Sequence, residues 1–246
     1  MAACSRTRSL ARRLAVAAGA AAAAYATYAA VTWVRYGQPP RSTPESEDPL
    51  LDRFMPTFDV AERHHIGVRA PAEMTLAAAG EADLLQSPIT RAIFKAREVI
   101  LGSDPDSTTR PRGLLALTQS LGWRVLAEVP GREVVVGAVT QPWTADVTFH
   151  GLSPDRFAAF NEPGYVKIAW TLRADHVTPA ESVFRTETRA VATDAFARAK
   201  FRRYWSFLSP GIIAIRSLML HPVKWEAERR ARVAEPRFRE ASGSGG

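Results

Sequence analysis

The chain changes its hydrophobic period several times, and each change marks an element. Residues 14–34, LAVAAGAAAAAYATYAAVTWV, carry no charge. Such a run predicts a helix long enough to cross a hydrocarbon core of about 30 Å at about 1.5 Å per residue. Residues 63–69, RHHIGVR, read as a short strand. Pro71 then opens a helix expected over 71–85, early enough that its missing N–H costs nothing. Ser87-Pro88 starts a second helix, with Ile89, Ala92, Ile93, Ala96 and Ile100 on one face up to Gly102. The polar stretch SDPDSTTRPRG is a loop by its turn residues, and a short apolar helix follows over 114–121.

Beyond residue 122 the period falls to two. WRVLAEV and EVVVGAVT flank a Pro130-Gly131 turn, the signature of a hairpin. DVTFH, GYVKIAWTLR and SVFRTETRAVA continue an antiparallel sheet, which makes six strands in all. Alternation places Val166, Ile168, Trp170 and Leu172 on one face, expected to be buried, and Tyr165, Lys167, Ala169, Thr171 and Arg173 on a wetter one. In the last strand Phe184, Thr186, Thr188 and Ala190 oppose Val183, Arg185, Glu187, Arg189 and Val191. That charged row suits either outward salt bridges or the polar part of a cavity.

At Thr193-Asp194 the pattern becomes helical. A side-chain oxygen of one of these residues is expected to accept an orphan N–H of the first turn. Ala197, Phe201, Tyr204, Trp205 and Leu208 form an apolar stripe, with Arg198, Lys200, Arg202 and Arg203 directed elsewhere, so this helix should lie on the sheet as a lid. Ser209-Pro210-Gly211 and Pro222 are expected to interrupt or kink it. Arg216 and His221 break the apolar run here, and an Arg at mid-membrane costs about 2.5–3.5 kcal/mol, so no second span is expected.

Composition matters chiefly through where the charge lies. With 46% apolar and 23% charged residues in 246, the chain has an ordinary globular balance. The net charge of +7 divides into +6 over residues 1–41, −6 over 42–194 and +7 over 195–246. A basic block beside an apolar run is the mark of membrane topology, and no nucleic-acid partner is expected. Arg6, Arg8, Arg12 and Arg13 precede the run, whereas only Arg35 and Arg41 follow before the acidic ESEDPLLD. The positive-inside rule therefore puts residues 1–13 in the cytoplasm, a transmembrane helix at 14–36 with Trp33 and Tyr36 as its aromatic belt, and the body outside. A cleaved signal peptide is the rival, with small residues around Ala24-Tyr25-Ala26 to cut at, but the run exceeds the usual length of about 7–15 residues. QPPRSTPESEDP reads as an extended spacer over 37–49 that holds the domain off the bilayer; a domain follows over 50–233 and a flexible tail over 234–246.

The order strand, two helices, antiparallel sheet and long closing helix is that of an α+β helix-grip fold. In HHIGVRAPAEM, EVVVGAVTQPW, FAAFNEPGYVKIAW and TETRAVATDAFARAKFRRYW the chain resembles the START-like, or SRPBCC (polyketide cyclase/dehydrase-like), superfamily, and within it a bacterial membrane-anchored subgroup of uncharacterised proteins. The resemblance covers about residues 50–230. It implies a sheet curved around the last helix and a cavity between them for a lipid-like or other apolar small molecule. Carried over, the cavity residues are Trp143, Phe160, Trp170, Phe184, Phe201, Tyr204 and Trp205, with Glu187 as a polar member. Seven strands are usual in that superfamily, one more than the pattern gives here. Three readings follow: an anchored ligand binder; a cyclase-like enzyme working through Glu187, Lys167 or Arg189; and an interaction module whose aromatics simply fill the core.

Little else in the sequence carries chemistry. The single cysteine, Cys4, precedes the apolar run, so there is no intramolecular disulfide and no cysteine-based zinc site. His64 and His65 are adjacent on a strand and point to opposite faces, so they do not chelate one metal. No His-Glu-x-x-His, phosphate-cradling glycine loop or nucleophile elbow is present, and neither catalytic residues nor a cofactor is expected.

Overall fold

The computed structural model describes residues 2–38, 47–83, 87–102 and 111–243. Most of the proline-rich spacer, the expected loop at 103–110, the last residues of the first expected helix and residues 244–246 lie outside these.

The strands are β1 (Val60–Val68), β2 (Arg124–Val129), β3 (Glu133–Thr140), β4 (Phe149–His150), β5 (Val166–Thr178) and β6 (Glu181–Ala192). They form one antiparallel sheet in the order β1-β6-β5-β3-β2, with β4 paired to the end of β3. The β2–β3 hairpin turns where expected. Gly131 there takes φ +71°, a left-handed conformation that glycine adopts without strain. Six strands stand where the pattern put six, although the apolar sequences continue further than the hairpin needs: β5 and β6 run to 13 and 12 residues.

Helices α1 (Ala2–Arg35), α2 (Pro49–Asp52), α3 (Ala72–Glu81), α4 (Pro88–Leu101), α5 (Leu114–Ser120), α6 (Pro154–Ala159) and α7 (Ala195–Gly243) complete the chain. One face of the sheet packs against α7 and α3, burying Trp170, Leu172, Phe184, Met219 and Val223 together. This is an α+β helix-grip arrangement, a long C-terminal helix held against an antiparallel sheet.

The opposite face is not wet. Short helices α2 and α6, missed in the sequence because neither is long enough to show a period, lay Leu51, Met55 and Phe157 over Val135, Val139 and Ala169. In the charged row of β6, Glu187 and Arg189 are buried under the same cover, while Arg185 stays partly exposed. Arg189 donates to Glu187 (2.6 Å), to Asp52 (2.5 Å) and to the Met55 carbonyl (2.8 Å), while Arg63 reaches the other oxygen of Glu187 at 2.9 Å. Burial works against the Arg189 charge, but its hydrogen bonds to Glu187 and Asp52 raise its pKa nonetheless.

The helix start at 193–194 follows the capping argument, with a division of labour. Asp194 Oδ1 accepts from the N–H groups of Phe196 (2.7 Å) and Ala197 (2.9 Å), and Thr193 bonds the backbone of Tyr165 at the start of β5. The expected break at Ser209-Pro210-Gly211 does not occur. The helix continues through it and through Pro222 to Gly243, so residues 234–243, read as tail, are helical. Proline costs the helix a ladder bond. Burial on both sides offsets that cost: Ser209 is fully buried and bonded to Tyr28, and Met219, Leu220 and Val223 enter the main core.

Helix α1 is exposed over most of its length. Its Ala11–Arg35 segment is long and apolar enough to cross a membrane; the Ala195–Ala234 part of α7 passes the same test of length and composition. The C-terminal third of α1 lies on α7. Tyr25 donates to the Phe207 carbonyl, Tyr28 meets Ser209 at 3.0 Å, and Arg202 bonds the Trp33 carbonyl and stacks on its ring. Gly37 N–H donates to the Asp59 carbonyl, so the domain is docked on the end of α1 and on the first residue assigned to the spacer.

Candidate ligand cavity

Alternation along the strands decides what faces α7. On the α7 side β1 contributes Val60, β5 contributes Ile168, and β6 contributes Thr188 and Ala190, which pair across the sheet as Val60↔Ala190 and Ile168↔Ala190. From α7, Phe201, Tyr204, Trp205, Ile212, Ile215 and Arg216 recur at three- and four-residue steps and so share one helix face. Between these surfaces lies a cavity of about 420 Å³. Its rim is lined by Trp123 and Phe149 from the β2 and β4 ends, by Ile93 and Ala96 of α4, and by Tyr25 of α1. Gly211 belongs to this construction. A Cβ there would come within 2.9 Å of Ile93 Cγ2, so the glycine read as a helix breaker is the seat on which α4 rests.

The wall is overwhelmingly apolar and aromatic. Phe201 and Trp205 are buried, with ring centroids 5.8 Å apart. Among the described lining residues no carboxylate, histidine or cysteine is present, and Arg216 is the charged member. Among the described residues as a whole, no group of three His, Cys, Asp or Glu side chains converges on a metal site.

The eight residues named from the sequence divide sharply. Phe201, Tyr204 and Trp205 line the cavity. Trp170 and Phe184 face the same side of the sheet but belong to the solid core, where Phe184 is fully buried and the Trp170 ring supports the Arg216 guanidinium at 4.9 Å. Trp143 packs against the Phe201–Trp205 cluster from outside, beneath Lys200 at 5.7 Å. Phe160 lies with the cluster on the far face of the sheet, edge-on to Tyr165 at 5.6 Å. Glu187 is a correction of a different kind. It alternates with Thr186 and Thr188 and is therefore on the far face, beside a separate polar hollow of about 270 Å³ shared with Arg63, Arg173 and Arg185. Lys167 and Arg189 share that face, with Lys167 donating to the Ala158 carbonyl at 2.9 Å.

Trp123, Phe149, Ile168 and Arg216 were missed. Ile168 and Phe149 were visible as strand residues, and the i, i+3, i+4 continuation from Trp205 to Arg216 was readable once the helix was not broken at Pro210.

No protein-family model matches the chain, and no curated protein matches its sequence. Solved structures that it is similar to include the hypothetical protein jhp0584 from Helicobacter pylori, at 5% identity and a TM-score of 0.38, covering 76% of this chain and 99% of that one. The Zhui aromatase/cyclase from Streptomyces sp. R1128 matches at 15% identity and a TM-score of 0.23, over 71% of this chain and 96% of its own. The di-domain ARO/CYC BexL from the BE-7585A biosynthetic pathway matches at 16% identity and a TM-score of 0.23, over 66% and 46%.

Proposed function

We propose that the protein is a membrane-anchored ligand binder. Helix α1 holds it at a lipid bilayer with the N-terminus cytoplasmic and the domain on the outer side, α7 lying against the membrane where the C-terminal third of α1 packs on it, and the helix-grip domain binds a lipid-like or apolar small molecule between sheet and α7. The observation that carries the reading is the 420 Å³ cavity walled by Phe201, Tyr204, Trp205 and Ile168. That volume lies within the range of about 300–1,000 Å³ typical of small-molecule sites, and its apolar lining with few polar groups is their usual chemistry. Binding is favoured over turnover because the cyclase-like alternative needed Glu187, Lys167 or Arg189 at the cavity, and all three lie on the other face of the sheet.

The test is mass spectrometry of organic extracts from the full chain and from Ile168→Trp. Extra ring volume at a cavity wall fills space, whereas in a dense core it costs about 1–3 kcal/mol. The expected result is a co-purifying apolar compound in the wild type, lost in Ile168→Trp with little change in Tm. A large fall in Tm with no compound in either sample overturns the reading in favour of a filled core.

A further inference from the structure

Arg216 is out of keeping with everything around it. A guanidinium offers five N–H donors. Here Nη1 meets Thr186 Oγ1 at 3.5 Å, the long limit of a hydrogen bond, and the group otherwise lies over the Trp170 ring. Among the described residues no carboxylate pairs with it. The titratable groups on the facing strand do not supply one. Glu62 of β1 has its pKa raised by burial alone, and His64 is held below its ordinary value by burial and then by the charge of Arg216 itself. Burial pushes the Arg216 pKa down to about 10, which still leaves it protonated at neutral pH. Nearby on the wall, Thr188 Oγ1 is buried and without a partner. Arg216 lies fifteen residues along α7 from Phe201, or about 22 Å at 1.5 Å per residue, so the unspent donors sit toward one end of the apolar wall.

We infer that the occupant of the cavity is an amphipathic anion, a hydrocarbon chain ending in one carboxylate or phosphate, whose head pairs with Arg216 while its chain lies along Ile212, Trp205 and Phe201. The inference rests on the cavity being a ligand site and adds the chemistry of the ligand. Arginine's planar fork matches either oxyanion in two parallel hydrogen bonds. In an apolar surrounding such a pair is worth more than it is in water, because water does not compete for the donors.

The experiment uses the full chain in nanodiscs of neutral lipid, titrated with dodecanoate, dodecyl phosphate and dodecanol after subtraction of partitioning into empty discs. Wild type is expected to bind at least one of the anions about tenfold or more tighter than the alcohol, roughly the worth of one charge-assisted hydrogen bond; the tighter of the two names the head. Arg216→Met is expected to bind dodecanol as before and to lose the preference, and Arg216→Lys is expected to keep part of it. Met in place of a half-buried charge with no carboxylate partner among the described residues removes a desolvation cost, so this variant is expected to fold. Equal binding of acid, phosphate and alcohol by wild type, or an unchanged preference in Arg216→Met, overturns the inference and leaves the apolar site standing. Failure of all three to bind, with dodecanol included, overturns the site itself.

Discussion

Glu133, at the start of β3, has only 3% of its surface exposed. Burial, then the hydrogen bond and charge of the neighbouring Asp48, push its pKa up to about 8. In the folded protein it holds a proton that the unfolded chain gives up at the ordinary carboxylate value. The stability this supports is full below that value and lost as pH rises through about 8. Urea midpoints should therefore fall between about pH 5 and about pH 9, and Glu133→Gln, which keeps the shape without the titration, should flatten that slope. A second site answers to burial differently. Arg189 is paired on several sides beneath α2, so Arg189→Met strands Glu187 with Arg63 alone and should cost about 3–5 kcal/mol by equilibrium unfolding. Glu133 carried no signal in the sequence, and Arg189 only the alternative of a salt bridge. Alternation put the charged row on one face but left open whether it formed outward salt bridges or lined a cavity, and the four-residue α2 that covers part of it has no period to read.

Helix α7 separates what a local signal says from what packing decides. Its N-terminus was readable, because Asp194 needs only its own neighbours to cap it. The interruption expected at its prolines, as one alternative to a kink, does not occur, because a proline rule states a cost and not an outcome; the outcome depends on contacts with β1, β5, β6 and α1 that a single stretch does not contain. The cost is still there to be measured. Pro222 is exposed and away from the cavity, so Pro222→Ala should restore the missing ladder bond and raise stability by up to about 3 kcal/mol, seen as a higher Tm with unchanged ligand content. The cavity was half legible for the same reason. Phe201, Tyr204 and Trp205 share a stripe that any amphipathic helix shows, whereas Phe160 and Trp143 were chosen for being aromatic, a property that says nothing about the face on which a residue lands.

Over the described residues, the end of the apolar helix α1 docks directly on the domain, while most of the expected spacer lies outside the described residues. Residues 25–37 lie on α7 and on the start of β1, with Tyr36 donating to Asp59 at 3.2 Å and Arg198 reaching the same carboxylate at 3.0 Å. The proposed orientation is checked by adding protease to intact cells. Digestion of residues 50–233 without lysis is expected, and digestion only after lysis reverses the topology. Because Tyr25 belongs both to the apolar helix α1 and to the cavity rim, the two are mechanically one object. If α1 spans a bilayer as proposed, a membrane thinner than its hydrophobic length would make that helix lean and would move Tyr25, a doorpost of the proposed binding site. On that reading lipid thickness would act on occupancy with no messenger other than the angle of a helix.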